Sequence, residues 1–264
     1  MSIKIEDWEV VGWRHAIKGM RNALESWDKS ESMFYDHVDF EKQEIHYHDI
    51  LKQPYGTAYF DDIPEDIVKK LSKASYHERG FSLGENDLKL MMTLNKGGTS
   101  ESKYRRFIIC YVDITAPLYM LKELDTYRHG VEKLSCSTMH RIHTRDLTLD
   151  DFSHEHLFNK YGDPSMNINY GFKHPTDVLV DLIHVINHFR EEYIFNDKDK
   201  KYWWQLIQLL PSSYNQKRTY MFSYEALAKI YKERKNHKLD EWHELCAWIE
   251  TLPYSELITG KENA

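Results

Sequence analysis

At 264 residues, with 41% hydrophobic side chains and 29% charged ones of both signs, the chain can bury a sizeable core, which excludes a disulfide-stapled peptide and a disordered chain. Its 35 basic against 42 acidic residues leave a formal net charge of −7, which excludes the overall basic excess that sequence-independent nucleic-acid binding requires, so no nucleic-acid partner is expected. Cys110, Cys136 and Cys246 are far apart with no paired metal-ligand spacing, the opening MSIKIEDWEVV has no apolar signal core, and no run approaches the roughly 18 apolar residues of a membrane span, so a soluble, unprocessed cytoplasmic protein is the expectation.

No repeat, low-complexity segment or Gly/Ser linker divides the chain, and one domain over residues 1–264 is expected. In residues 8–27, Val11, Ala16, Met20, Ala23 and Leu24 recur at helical spacing with Arg14, Lys18 and Arg21 between them, the pattern of an amphipathic helix. Pro64, Glu65 and Asp66 open a short second helix. A third covers residues 86–94 and ends at Gly97 and Gly98. Residues 106–113 are dense in β-formers, which predicts a strand buried on both faces. Pro117 fits the first position of a helix with Leu118, Leu121 and Leu124 on its apolar face and Gly130 just past its end. Residues 177–192 read as a helix that turns Leu179, Ile183 and Ile186 inward and His184, His188 and Glu191 outward. A second strand over 218–224 precedes helices over 225–235 and 239–251. The fold class is α+β, rich in helix.

Fifteen histidines raise the question of a metal. His184 and His188 stand four apart with Glu191 one turn on, which could offer two nitrogens and an oxygen, but Val185 occupies the place where a His-Glu-x-x-His protease needs its glutamate. A solvated polar helix face is the preferred reading. His46 with His48, and His154 with His156, are two apart as strand ligands would be, yet neither pair has a third partner at a telling spacing, so no metal site is assigned. There is no nucleophile elbow and no glycine-rich phosphate loop. Cys136, with His140 one turn away and basic neighbours, is either a reactive thiol or, by preference, a buried structural cysteine.

The segment 128–145 reverses the sign of its acidic surroundings. Arg128, His129, Lys133, His140, Arg141, His143 and Arg145 stand among Ser135, Ser137, Thr138 and Thr144. Guanidinium forks with neutral hydroxyl donors suit a phosphate dianion, so a phosphorylated ligand is expected, with a solvated basic loop or a subunit contact as the alternatives.

Around this segment, over residues 85–250, the chain resembles the flavin-dependent thymidylate synthase (ThyX) family, in a divergent branch of the kind met in phage and bacterial genomes. The resemblance lies in an order of features: a helix ending at Gly98 and Thr99, the strand FIICYVDI, Ala116 and Pro117 opening a helix, YRHG closing it, then the loop SCSTMHRI. Leu210, Pro211, Tyr214, the run RTYMFSY and Arg234 continue it. The family's Arg-His-Arg falls on Thr126, Tyr127 and Arg128, or on Arg128, His129 and Gly130, and is incomplete in either register. Thr99 stands in place of the family's histidine, and Ser223, Tyr224 and Glu225 in place of its Asn-x-Arg.

The resemblance implies a helix-rich α+β fold around a central mixed or antiparallel sheet, and a homotetramer with sites between protomers. It implies methyl transfer to a pyrimidine nucleotide, dUMP to dTMP, with FAD as cofactor, NADPH as reductant, methylenetetrahydrofolate as carbon donor and no protein nucleophile. By the same resemblance Glu123, Ser137, His140, Arg141 and Arg234 hold the substrate, and Thr99, Arg128, His129 and Ser223 hold the cofactor. The motif departures imply weaker flavin binding, with the Glu225 carboxylate repelling the pyrophosphate. The alternative is a nucleotide-binding protein of the same fold that has lost flavin-dependent catalysis.

Overall fold

A computed structural model describes residues 2–39, 44–49, 55–59, 81–159 and 173–261, and the helix expected at Pro64 lies outside them. The framework is a four-stranded antiparallel sheet in the order β1 (Lys4–Val11), β5 (Ile109–Pro117), β7 (Asn215–Ser223), β6 (Val131–Ser135). A second antiparallel sheet joins β2 (Met33–Asp39), β3 (Glu44–Asp49) and β4 (Tyr55–Tyr59) in sequence order. With its helices the chain is α+β and helix-rich, as the sequence predicts.

The register of β5 on β7 runs from Ile109 opposite Ser223 to Pro117 opposite Asn215. Alternation along β5 buries Cys110, Val112, Ile114 and Ala116 completely and leaves Tyr111 exposed, so this strand is buried on one face and not on both. It starts three residues later than expected because Lys103–Arg106 closes a 3₁₀ turn instead. The buried face of the sheet carries the main core. Against it pack Trp13 and Ile17 of α1 (Trp13–Arg21), Met91 of α2 (Glu85–Lys96), Leu121 and Leu124 of α3 (Leu118–Leu124), Leu227 and Ile230 of α7 (Tyr224–Arg234) and Trp242 and Leu245 of α8 (Asp240–Glu250). The short helix α4 (Thr138–Arg141) follows β6, and α9 (Glu256–Thr259) closes the described chain. A smaller core lies between α5 (Pro175–Phe195) and α6 (Lys200–Leu209), where Ile183, Ile186 and Leu206 meet Ile142, Leu147 and Phe152.

The first expected helix divides in two. Its opening residues form β1, which pairs with β5 through a bulge between Glu6 and Glu9. The helix begins only after Gly12, at φ +95°, where a Cβ would stand 1.9 Å from the Phe107 carbonyl oxygen. Arg21, expected among the solvent-facing cations, is instead buried, and its Nε donates to Asp87 Oδ1 at 2.6 Å. The other Asp87 oxygen accepts from the Ser30 and Ser32 hydroxyls at 2.7 and 2.6 Å, so the pair that clamps α1 to α2 is internally satisfied. Pro117 is the residue before α3 rather than its first position. Gly130 lies past a turn beyond the helix and directly precedes β6, a strand the sequence reading leaves as loop.

Candidate functional site

Seven of the nine site residues singled out from sequence gather into three places, and Arg128 and Ser223 stand apart from them. A cavity of about 670 Å³ opens among the described residues between α7, the Lys103–Arg106 turn and the end of α2. Thr99 and His129 line it. Five lysines and arginines also reach it, Arg105, Arg106, Lys229, Lys232 and Lys235, against two carboxylates, Glu225 and Glu233. Its walls therefore carry a formal +3 in a chain whose net charge is −7. The Glu225 carboxylate does not face the cavity as a bare charge: Arg106 Nε donates to its Oε2 at 2.8 Å, which corrects the expected repulsion. Two buried polar atoms on these walls have no hydrogen-bond partner among the described residues, Arg105 Nε and Glu225 Oε1.

Ser223 does not line this cavity. It is buried, and as the N-cap of α7 its Oγ accepts from the Ala226 N–H at 3.1 Å. Gly130 lies against it at φ +70°, where a Cβ would come within 2.2 Å of Ser223 Oγ. A side chain at position 130 would have to displace Ser223 and hold a strained left-handed backbone, which favours the glycine found there over an arginine. Arg128, exposed beside it, borders a separate recess of about 230 Å³ with Tyr127, Glu132 and Tyr220.

The second place is the loop after β6. Ser137 caps α4, its Oγ accepting from the His140 N–H at 3.3 Å and lying 2.8 Å from His140 Nδ1. Ser137 and Arg141 line a cavity of about 320 Å³ together with Thr138, Arg145, Gln216 and Lys217. Cys136 also borders it and is exposed, which overturns the preferred reading of a buried structural thiol. Several cations of this segment are neutralised locally: Lys133 pairs with Asp125, and Arg145 makes a two-pronged bond to Asp151. Arg128, His129 and Arg141 have no side-chain partner among the described residues, which leaves them available to an anion.

Third, Glu123 and Arg234 meet. Arg234 Nη1 lies 3.1 Å from Glu123 Oε2, its Nε donates to the Tyr127 hydroxyl at 2.9 Å, and the guanidinium stacks over the Trp242 ring at 4.7 Å. Trp242 Nε1 donates to the same Glu123 oxygen at 3.0 Å, and Tyr127 OH donates to Glu233 at 2.8 Å. Burial, reinforced by the bond to Glu233, pushes the Tyr127 phenol above its usual range, so this hydroxyl stays protonated as the donor. The arginine is held in one orientation before any ligand arrives.

The sequence reading missed Arg105, Arg106 and the α7 lysines. The adjacent arginines of KYRR and the spacing of Lys229, Lys232 and Lys235 were the available signals; nothing local says that they share a cavity. His184, His188 and Glu191 are exposed on α5, and no cluster of three potential metal ligands occurs among the described residues. Nor is any helix among the described residues long and apolar enough to cross a membrane.

No protein-family model matches the chain, and no curated protein matches it in sequence. Among solved structures, the flavin-dependent thymidylate synthase ThyX from Helicobacter pylori, complexed with FAD and dUMP, superposes over 98% of this chain and 99% of its own, with 13% identity and a TM-score of 0.54. A second structure of Thymidylate Synthase X from the same organism, with FAD and dUMP, covers 98% of each chain at 12% identity and a TM-score of 0.56. At such identities the likeness establishes the fold.

Proposed function

We propose, from the premise that the chain carries the fold of the flavin-dependent thymidylate synthases, that it binds a pyrimidine nucleotide and a flavin dinucleotide and methylates dUMP to dTMP. The observation that carries this reading is the large cavity with a formal +3 on its walls, which includes two of the residues expected at the cofactor, Thr99 and His129. Its volume lies within the several-hundred-Å³ range of cofactor pockets. The walls fit FAD by their chemistry: a pyrophosphate dianion supplies acceptors for the cations, and the buried Arg105 Nε is a donor lacking an acceptor among the described residues. When bound, the flavin supplies hydride, with NADPH as the source of reducing equivalents and methylenetetrahydrofolate as the source of carbon.

The chain's own residues bind and orient. Arg141, with the Ser137–His140 pair beside it, holds the nucleotide phosphate by a charged fork and neutral donors. Glu123 and Arg234, fixed between Tyr127 and Trp242, present a donor and acceptor edge suited to a pyrimidine base. Thr99, Arg128 and His129 serve the dinucleotide, and Ser223 supports them from beneath by capping α7 and seating Gly130. The phosphate-side and cofactor-side groups lie in separate cavities of one protomer, which favours sites completed between subunits of a homotetramer in the cytoplasm.

Incubating purified protein with FAD, NADPH, methylenetetrahydrofolate and dUMP, and reading the nucleotide by mass spectrometry, tests this. Formation of dTMP that requires every component is expected; unaltered dUMP under anaerobic and aerobic conditions would contradict it. One observation favours a second reading, a nucleotide-binding protein without flavin chemistry: the strained backbone at position 130, crowded by Ser223, disfavours an arginine. That reading expects dUMP binding by protein that takes up no FAD.

A further inference from the structure

The Lys103–Arg106 turn packs against α7 and sets two consecutive arginines in the wall of the large cavity. Arg105 is fixed in place: its Nη2 donates to Ser102 Oγ at 2.9 Å and its Nη1 reaches the Leu257 carbonyl at 3.4 Å. Its Nε is left buried and unbonded among the described residues. Arg106 is half-exposed and is engaged by Glu225 through Nε, the inner nitrogen of its fork. Along the facing helix Lys229 and Lys232 are one turn apart, and both line the same cavity. Cations have thus collected here from elements other than the loop after α3, where Gly130 is sterically favoured.

We propose that Arg105 and Arg106, with Lys232 opposite, anchor the diphosphate of a nucleoside-diphosphate moiety in this cavity, doing from the 3₁₀ turn what the incomplete Arg-His-Arg cannot do from position 130. The inference rests on the flavin reading for the identity of the larger ligand, but the chemistry it invokes requires only a diphosphate. Glu225 then acts as a positioning residue: it neutralises one arginine, aims it along the wall, and lowers the mutual repulsion of the cations while the site is empty. Burial disfavours the charge on Arg105, and an anion laid against it relieves that cost.

Calorimetric titration of the full chain with FAD, ADP and riboflavin tests the assignment. The double variant Arg106→Gln/Glu225→Gln removes both members of the ion pair with little change of shape, and its thermal melt verifies folding. Loss of about tenfold or more in FAD or ADP affinity, with riboflavin unaffected and parent binding weakened by salt, is expected. Unchanged FAD and ADP affinity in the folded variant overturns the anchor while leaving the flavin reading intact. Parent protein that binds ADP through Arg106 but not FAD supports the anchor and defeats the flavin reading. Parent protein that binds neither, or binds riboflavin as tightly as FAD, overturns the anchor.

Discussion

Gly130 and Arg141 show how differently single residues enter the candidate site. Gly130 is held at φ +70° with no room for a Cβ against Ser223. An L-residue in the left-handed region costs about 1–2 kcal/mol before any clash. Gly130→Ala is expected to lower the melting temperature by about 5 °C or more, read by circular dichroism; an unchanged melt would mean that the 130–131 backbone is not held as described. Arg141, in contrast, is exposed and makes no side-chain bond among the described residues, so its removal should leave the melt unchanged. Truncating one member of a charge-assisted pair costs about 2–5 kcal/mol, and Arg141→Ala should weaken dUMP binding by roughly 30-fold or more. Parent-like affinity would remove Arg141 from the phosphate. Arg234→Ala is the poorer probe, since it also releases Glu123 and uncovers Trp242. Ser137, His140 and Arg141 come together because they belong to one local turn, a proximity that sequence spacing alone conveys. Glu225 was misread because its partner, Arg106, is 119 residues away, and no short-range pattern reveals such a pairing.

At the level of elements, helices read from their apolar period stand within a few residues of where they were expected: 86–94 became Glu85–Lys96, and 225–235 became Tyr224–Arg234. The failures have physical causes. Residues 4–11 form an edge strand whose pattern is broken by the bulge at Glu6 to Glu9, so the helical period of the following segment was extended backward over it. Strand β6 buries only Val131, and a strand with one inward residue has no alternation to detect. Arg21 sat on an amphipathic helix and read as solvent-facing, yet its partner is supplied by α2. That buried pair makes a prediction about how the two helices hold together. Asp87→Ala leaves the buried Arg21 charge without its counter-ion, and Arg21 Nε and the Ser30 and Ser32 hydroxyls without their acceptor, and should cost about 3–5 kcal/mol in denaturant unfolding, whereas Arg21→Met/Asp87→Leu should recover most of it. A loss below about 1 kcal/mol would show that water satisfies the arginine and that the pair is not closed to solvent.

For the whole molecule, the expected fold class and the observed one agree because class follows from the order and number of elements, which periodicity reports well. Site assembly follows from tertiary packing, which it does not report. One edge of the sheet is β1 and the other is β6, where Leu134 is 78% exposed and which leads directly into the loop bearing Arg141. An exposed apolar side chain on an unpaired edge is the surface a second copy would cover. With the sites shared in a homotetramer as proposed, light scattering at micromolar concentration gives a species about four times the 31.7 kDa protomer, and Leu134→Lys shifts it to smaller mass. A single species of protomer mass, with or without dUMP, would remove the shared-site arrangement.

In the proposed function a flavin dinucleotide and a pyrimidine nucleotide are held together in a site shared between protomers. An anaerobic titration of FAD-loaded protein with dUMP, followed through the flavin absorbance band, tests it most directly. Retention of the flavin after gel filtration and a saturable perturbation of its band by dUMP, lost in Arg141→Ala, is the predicted result. Protein that emerges colourless, or a flavin band indifferent to saturating dUMP, would contradict it.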